Sequence, residues 1–228
     1  MKKSSERIEM LVNLMPKAFS AADIGCDHAI ASIRLAELGR AEKIYACDLR
    51  EGPLKRAEEN IAASDYGTII ETILCDGISK VPDGTENYLI AGMGGQLICR
   101  ILEEGREKLG KAKCLVLSPH SDRCMVRKKI YELGFEISEE ADCFDEGKYY
   151  QGICAVKCQT VFSDDYKPWE FEYGRFLIRK KSPNLLRYLL DRKMKIEVIQ
   201  KQIERAGGNP PEELVSEEMM VLKALEVE

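Results

Sequence analysis

Short apolar runs alternate with amphipathic stretches from about residue 17 to residue 159, and this alternation restricts the possible folds more than any other feature of the chain. The apolar runs predict strands at 18–24, 43–47, 69–74, 88–91, 114–117, 135–142 and 150–157. The amphipathic stretches predict helices at 4–15, 28–38, 53–64, 96–109 and 122–133. Strands that alternate with helices pair in parallel, because a parallel pair needs a long crossover connection. We therefore expect a Rossmann-like α/β domain with a doubly wound sheet.

The last two predicted strands follow each other without an intervening helix. Residues 144–147, Phe-Asp-Glu-Gly, join them, and so short a connection predicts an antiparallel hairpin at one edge of the sheet. An ordinary dinucleotide-binding domain does not end in this way. Seven strands that close with such a hairpin are typical of the methyltransferase variant of the doubly wound fold.

After about residue 163 the chain shows helical patterns without strand signals. Segments 184–206 and 212–226 predict two antiparallel helices, joined by the turn Gly-Gly-Asn-Pro-Pro at 207–211. We therefore divide the chain into an α/β domain at 1–162 and a helical domain at 163–228. Between Arg175 and Arg205 there are ten Lys or Arg against three acids, although the whole chain carries a net charge of -5. This basic stretch predicts either a phosphate-binding surface or a solvated helix face.

Composition restricts where the protein works and what it binds. No apolar run approaches the roughly 20 residues that span a bilayer, and the first residues lack the apolar block of a signal peptide. The nine cysteines are odd in number and dispersed, with no C-x-x-C pair, and only two histidines are present. We therefore expect a cytoplasmic protein with reduced thiols, no bound metal and no membrane partner.

Carboxylates stand at the ends of the first three predicted strands. Asp23 precedes Gly25, which lets the backbone approach a ligand, and Asp23 can fix the amino group of a cationic amino acid. Asp48 ends the second strand, where an acid commonly holds both ribose hydroxyls of a nucleoside. Asp76 and Gly77 close the third strand, either near an adenine amino group or as a simple turn. Two observations argue against a bound dinucleotide. The motif G-x-G-x-x-G is absent, and two carboxylates in this turn would repel a pyrophosphate group.

The fourth predicted strand runs into Ala-Gly-Met-Gly-Gly at 91–95, immediately before a helix. A tight turn needs one glycine, so three glycines indicate a place where a bulky substrate approaches the backbone. Met93 offers a soft apolar wall there. The fifth strand ends in Pro119 and His120, and His120 can stack on or hydrogen-bond a base, or lie in an exposed loop. Tyr149 offers a further aromatic ring, either for stacking or for packing.

Three stretches resemble a known family: DIGCDHA at 23–29, AGMGG at 91–95 and GKYYQGICAV at 147–156. They are similar to the bacterial tRNA methyltransferases that modify N1 of the adenine at position 22, and the resemblance runs from about residue 4 to the C-terminal helices. It implies a Rossmann-like methyltransferase domain, a coiled-coil-like helical C-terminal domain, S-adenosylmethionine as cofactor and tRNA as substrate. The chain departs from the family pattern at Ile30, Ser32, Ser118 and His120, where Tyr, Pro, Gln and Asn are expected.

The resemblance and the strand-end positions together assign roles to three groups of residues. The expected cofactor-binding residues are Asp23, Gly25, Asp48, Leu49, Asp76, Gly77, Ala91 and Gly92. The expected catalytic residues are Asp27, His28 and Met93. The expected substrate-binding residues are Gly94, Gly95, Pro119, His120, Tyr149, Arg179, Lys180, Arg187 and Arg192. Three alternatives for the substrate stay open: another RNA base, a small molecule or a protein. In a separate, non-enzymatic alternative, the C-terminal helices serve as an interaction module that forms a homodimer.

Overall fold

One seven-stranded sheet organises the larger part of the chain in the computed structural model, which describes residues 4–158 and 166–227. Its strands are β1 (Ala18–Ile24), β2 (Ala41–Asp48), β3 (Ile70–Leu74), β4 (Asn87–Met93), β5 (Cys114–Pro119), β6 (Phe135–Asp145) and β7 (Lys148–Lys157). They lie in the order β3-β2-β1-β4-β5-β7-β6. The first five pair in parallel, and β7 is antiparallel to both β5 and β6. The predicted doubly wound sheet with its terminal hairpin is confirmed.

Six helices accompany the sheet in this part of the chain: α1 (Glu6–Leu14), α2 (Ile30–Glu37), α3 (Glu51–Ala62), α4 (Gly95–Glu104), α5 (Arg106–Leu109) and α6 (Arg123–Glu132). The single helix predicted at 96–109 is wrong, because α4 and α5 are separated at Gly105. Glycine is a weak helix former, so a break there costs less than elsewhere in the segment. Leu11 of α1 and Ile33 of α2 pack in one buried cluster with Ile44 of β2 and Leu89 of β4.

The described residues form two compact units, with the division between Phe162 and Ser163. The second unit contains α7 (Pro168–Tyr173), α8 (Arg175–Arg179), α9 (Pro183–Arg205) and α10 (Glu212–Leu225). Leu185 and Leu189 near the start of α9 line one hollow together with Ala224 at the end of α10, so the two long helices are antiparallel. The two predicted C-terminal helices are confirmed, whereas α7 and α8 were not predicted.

A chain of buried polar side chains joins α6 to the terminal hairpin. Arg127 is fully buried and donates from Nε to Glu140 Oε1 at 2.8 Å and from Nη2 to Gln151 Oε1 at 2.8 Å. The Gln151 amide donates in turn to the Tyr149 hydroxyl at 3.1 Å, and that hydroxyl donates to Asp142 at 2.9 Å. Buried charges are tolerated when they are paired and hydrogen-bonded, so this chain holds the hairpin against α6.

A second buried carboxylate stabilises the turn after β1. Asp23 is 4% exposed and accepts a hydrogen bond from the Ser32 hydroxyl of α2 at 2.6 Å. Burial raises the pKa of Asp23 to about 6, and the hydrogen bonds from Ser32 oppose that rise. The side chain that closes the turn between β1 and α2 therefore has a higher pKa than an exposed aspartate and keeps its proton to a higher pH.

Arg127→Met should lower the free energy of unfolding by about 3–5 kcal/mol, because Glu140 stays buried without its cationic neighbour. The double variant Arg127→Met, Glu140→Leu should recover a large part of that loss. Urea unfolding measures both. Arg106→Met is the matched control, since Arg106 makes a 2.8 Å ion pair with Glu103 on a half-exposed surface and should lose far less. Equal losses in Arg127→Met and Arg106→Met would contradict the argument.

Asp23→Asn should stabilise the protein at pH 8. A native pKa of about 6 against 3.8 means that the folded state binds this proton more tightly, so the contribution of Asp23 to stability falls as the pH rises from about 4 to about 6. The whole rise corresponds to on the order of 3 kcal/mol. The stability difference between variant and parent should therefore shrink as the pH falls from 6 to 4 in urea unfolding curves.

The control for this pH series is Asp83→Asn. Its exposed carboxylate has its pKa lowered by Lys108, so the substitution should act in the opposite direction and destabilise most at neutral pH. A deficit of Asp23→Asn that grew as the pH rose from 4 to 6 would contradict the prediction and show that Asp23 is needed as an ionised side chain.

Candidate active site

A cavity of about 450 Å³ opens where β1, β2, β3 and β4 end. Its volume lies in the usual range for small-molecule sites, and the carboxyl ends of parallel strands are where doubly wound folds bind ligands. The cavity is lined by Arg7, Ile24, Gly25, Asp27, Asp48, Leu49, Arg50, Cys75, Asp76, Gly77, Ala91, Gly92, Met93, Leu97, Arg100 and Ile101. Nine residues predicted for the site are therefore brought together: Gly25, Asp27, Asp48, Leu49, Asp76, Gly77, Ala91, Gly92 and Met93.

Asp48 is the most firmly held carboxylate of the cavity. It ends β2, is 7% exposed, and accepts backbone N–H donors on both oxygens, from Arg50 at 2.9 Å and from Asp27 at 3.3 Å. A carboxylate with four lone-pair sites keeps acceptor capacity after two such bonds. Asp48 can therefore accept two further hydroxyl donors from a ligand in the cavity without changing its own position.

Asp76 and Leu49 form the part of the cavity near β3. Asp76 is half-exposed and lies 3.8 Å from Nη2 of Arg100, so its carboxylate points into a polar, accessible region. Leu49 is 60% exposed, although it is apolar, and Ile101 lines the same cavity. An exposed apolar side chain next to an acceptor suits a flat ring with an amino group at its edge.

The turn after β1 is strained. Asp27 and Ala29 both adopt left-handed backbone conformations, with φ of 49° and 56°. Non-glycine residues in this region cost on the order of 1 kcal/mol or more and collect at functional sites. The strain leaves the Asp27 carboxylate exposed in the cavity, 3.8 Å from Nε2 of His28. His28 itself is not among the residues that line the cavity.

The glycines at 92–95 have two different roles. Gly92 lines the cavity with φ at 82°, and a Cβ there would lie 3.0 Å from Nη2 of Arg7. Gly95 does not line the cavity; a Cβ on it would lie 2.5 Å from the carbonyl oxygen of Ser121. Its N–H donates to that same oxygen at 3.1 Å. Gly92 therefore opens the cavity, whereas Gly95 lets the start of α4 pack on the loop after β5.

Aromatic and basic side chains lie next to this part of the cavity. The His120 backbone N–H donates to the Met93 carbonyl at 3.0 Å, and its ring meets Tyr150 edge-on at 5.8 Å. The Arg7 guanidinium stacks over the Tyr150 ring, 5.0 Å from the ring centroid, and this contact fixes the orientation of the guanidinium. Burial, together with the charges of Arg7, Lys148 and Arg123, lowers the pKa of His120. The imidazole is therefore neutral at pH 7.

Several predicted residues lie elsewhere. Asp23 is buried against Ser32 and does not line the cavity, so Asp27 is the carboxylate of the first turn that lines it. Tyr149 is 9% exposed and bonds to Asp142 and Gln151, because neighbouring strand residues point to opposite faces and Tyr150 is the one beside His120. Gly94 and Pro119 also lie outside the lining, and Pro119 is buried.

The predicted basic residues belong to the second unit. Arg179, Lys180 and Arg187 are exposed, whereas Arg192 is half-buried and donates to Glu217 of α10, with Nη2 at 2.7 Å from Oε2. Acids outside the basic stretch therefore neutralise part of its charge, and Arg175 likewise pairs with Glu170 at 2.9 Å. The net positive charge of the basic stretch is therefore weaker than its composition indicates.

The sequence reasoning missed seven residues that line the cavity: Arg7, Ile24, Arg50, Cys75, Leu97, Arg100 and Ile101. Leu97, Arg100 and Ile101 follow the glycine run at helical spacing, so the pattern of α4 could have found them. Arg50 and Cys75 adjoin predicted residues. Arg7 is remote in sequence from every other lining residue, and no local signal points to it. Among residues 4–158 and 166–227, no three potential metal ligands cluster and no helix is long and apolar enough to cross a membrane.

Comparison with known proteins identifies methyltransferases that are similar to this chain. Over 154 residues, 67% of this chain, it is 29% identical to the tRNA (adenine(22)-N(1))-methyltransferase of Bacillus subtilis. It is 30% identical over 119 residues to the ribosomal protein L11 methyltransferase of Clostridium botulinum. The chain spans 65% of the first relative's length and 37% of the second's, less than two thirds of either.

A solved structure resembles the chain over nearly all its length. A candidate tRNA (m1A22) methyltransferase from Streptococcus pneumoniae is 28% identical, covers 98% of this chain and 100% of its own, and has a TM-score of 0.86. The same protein has been solved in complex with S-adenosyl-L-methionine. Residues 4–153 match the model of the methyltransferase-domain family, which is more than half of the chain. This protein therefore belongs to the methyltransferase-domain family.

Proposed function

We propose that this protein transfers a methyl group from S-adenosylmethionine to N1 of adenine 22 in tRNA. The observation that carries the proposal is the row of cavity-lining positions at four successive strand ends, with Asp76 after β3, Asp48 at the end of β2, Asp27 after β1 and Gly92 in β4. The similarity to the Bacillus subtilis and Streptococcus pneumoniae proteins supports the choice of substrate.

The cavity fits a nucleoside that carries a cationic amino acid. Asp48 would accept from both ribose hydroxyls, as its two anchored oxygens allow. Asp76 would accept from the adenine amino group, with Leu49 against the ring. Gly25, Gly77 and Ala91 would let the backbone come close, and Asp27 would lie near the charged amino-acid end. Bound in this way, S-adenosylmethionine supplies an electrophilic methyl group.

The substrate base would enter beside Gly92 and Met93, where the missing side chain leaves room. A base inside a tRNA stack must leave the stack first, which costs a few kcal/mol and requires a receptive pocket. Tyr150 and His120 offer ring faces and edges next to Met93. Because His120 stays neutral at pH 7, its ring can accept a hydrogen bond from an adenine amino group.

Positioning would supply most of the catalysis. Neutral adenine N1 is already a nucleophile, so no base has to remove a proton before the attack. Methylation makes the adenine cationic, and the exposed Asp27 carboxylate would stabilise that charge as it develops with the oxygen that does not face the α-ammonium group of the cofactor. A neutral His120 does not oppose it, whereas a protonated imidazole would. Met93 would form the apolar wall that excludes water from the reacting atoms.

The exposed cations Arg179, Lys180 and Arg187 of the second unit would hold tRNA phosphates. Half-buried Arg192 would contribute less, because it is paired with Glu217. A tRNA substrate would also place the protein in the cytoplasm. The homodimer through the C-terminal helices remains a prediction, for which Leu186, Leu190 and Met194 of α9 offer an exposed apolar stripe.

A protein substrate is the second candidate, since the ribosomal protein L11 methyltransferase of Clostridium botulinum is 30% identical. That similarity covers 51% of this chain, whereas the similarity to the Streptococcus pneumoniae structure covers 98% and so includes the helical unit. The tRNA substrate is therefore favoured.

Purified protein incubated with labelled S-adenosylmethionine should methylate a tRNA transcript that has adenine at position 22 and form 1-methyladenosine there. The matched control is the same transcript with guanine at position 22, which should take up no label. Digestion and mass spectrometry of the nucleosides identify the product. Equal labelling of both transcripts, or labelling of ribosomal protein L11 alone, would overturn the proposal.

Asp48→Asn should raise the KM for S-adenosylmethionine by about tenfold to a hundredfold, because one charged acceptor is lost from the proposed ribose contact. Binding of tRNA measured without cofactor should not change, since Asp48 is buried at the end of β2. Steady-state kinetics and filter binding test the two statements. An unchanged KM in the variant would show that Asp48 does not bind the cofactor.

A further inference from the structure

Arg7 is the one lining residue of the cavity that comes from α1. A Cβ built on Gly92 would lie 3.0 Å from its Nη2, so the guanidinium lies directly against the backbone of β4. Stacking on Tyr150 at 5.0 Å holds it in place, and its Nε is buried without a hydrogen-bond partner. The side chain is thus ordered and turned toward the cavity, although none of these contacts neutralises its charge.

The arginines that line the cavity differ in whether an acidic side chain lies beside them. Three arginines line it, and two of them have acidic neighbours: Arg100 lies 3.8 Å from Asp76, and Arg50 lies 4.0 Å from Asp48. Arg7 makes no ion pair or hydrogen bond with any residue in 4–158 or 166–227. A guanidinium that is oriented but unpaired in a ligand cavity is suited to an anion that the ligand brings.

The strand order locates that anion along the cavity. Neighbouring strands lie about 4.8 Å apart, so Asp76, Asp48, Asp27 and Gly92 follow one another across β3, β2, β1 and β4. With adenine at Asp76 and ribose at Asp48, the amino-acid end of the cofactor must extend toward β1 and β4. That end carries an ammonium and a carboxylate. Asp27 and Arg7 lie there with charges opposite to these two groups.

We propose that Arg7 binds the α-carboxylate of S-adenosylmethionine, with Asp27 near the α-ammonium group. This inference rests on the proposed function for the identity of the ligand. Two N–H donors of a guanidinium match two carboxylate oxygens, so Arg7 also orients the amino acid and, through it, the methyl group. Arg7 acts as a cofactor-binding residue supplied by a helix that precedes the sheet.

A phosphate of the substrate RNA is the competing anion. It is disfavoured because Arg7 lines the same cavity as Asp27, Asp48 and Asp76, and an RNA phosphate there would meet these three carboxylates. The two sources are separable, since the cofactor carboxylate can be removed without changing the RNA.

The experiment compares two ligands by isothermal titration calorimetry: S-adenosylhomocysteine, which carries the carboxylate, and 5′-methylthioadenosine, which lacks the amino acid. Arg7→Gln should weaken binding of S-adenosylhomocysteine by about tenfold to a hundredfold and change the affinity for 5′-methylthioadenosine by less than about twofold. Arg7→Lys should fall between, because an ammonium retains the charge and loses the bidentate geometry.

Arg100→Gln is the matched control, since Arg100 lines the same cavity beside Asp76 and should change both affinities by a similar factor. Equal loss of both ligands in Arg7→Gln and Arg7→Lys would overturn the proposal and give Arg7 a structural role. An unchanged affinity for S-adenosylhomocysteine with weaker, less salt-dependent tRNA binding would assign Arg7 to phosphate instead. If the parent protein bound neither ligand, the proposed function itself would fail.

Discussion

Parallel pairing of β1 with both β2 and β4 places the functional residues at one edge of the sheet. Ile24 of β1 lies in register with Cys47 of β2 and with Ile90 of β4, so the three strands end within three residues of each other. Every loop that follows a parallel strand then leaves the sheet at the same edge. These loops enclose the cavity. The residues that line it follow one another in the order of the strands in the sheet, not in the order of the sequence.

That edge is held together by backbone hydrogen bonds to a side chain. Asp48 accepts from the N–H groups of Asp27 and Arg50, which connects the turn after β1 to the end of β2. The turn itself contains two non-glycine residues in left-handed conformations, and such strain persists only where surrounding contacts fix the backbone. The Asp23–Ser32 hydrogen bond fixes it from the other side. A site with this support is formed before any ligand arrives, which lowers the entropy cost of binding.

The sequence predicted the sheet, the hairpin and nine lining residues because each depends on a local signal, such as an apolar run or an acid at a strand end. It did not distinguish Tyr149 from Tyr150, since a strand's two faces differ only by register against its neighbours. It assigned the first-turn contact to Asp23, although burial against Ser32 depends on where α2 packs. Arg7 was missed for the same reason, because its position results from the packing of α1 and from a stacking contact with β7. Tertiary packing decided each of these cases.

Division of charge between the two units is compatible with the proposed tRNA substrate, although the chain as a whole carries a net negative charge. Three carboxylates of the first unit, Asp27, Asp48 and Asp76, line the cavity proposed for the cofactor, whereas the cations of α8 and α9 belong to the second unit. Glu170 and Glu217 pair with Arg175 and Arg192, which leaves a moderate basic surface. Strong uniform charge would favour binding to any RNA, because phosphate contacts carry no sequence information. With the proposed tRNA substrate, a weaker basic surface would leave more of the discrimination to the cavity, because only a base that has left its stack would reach the methyl group.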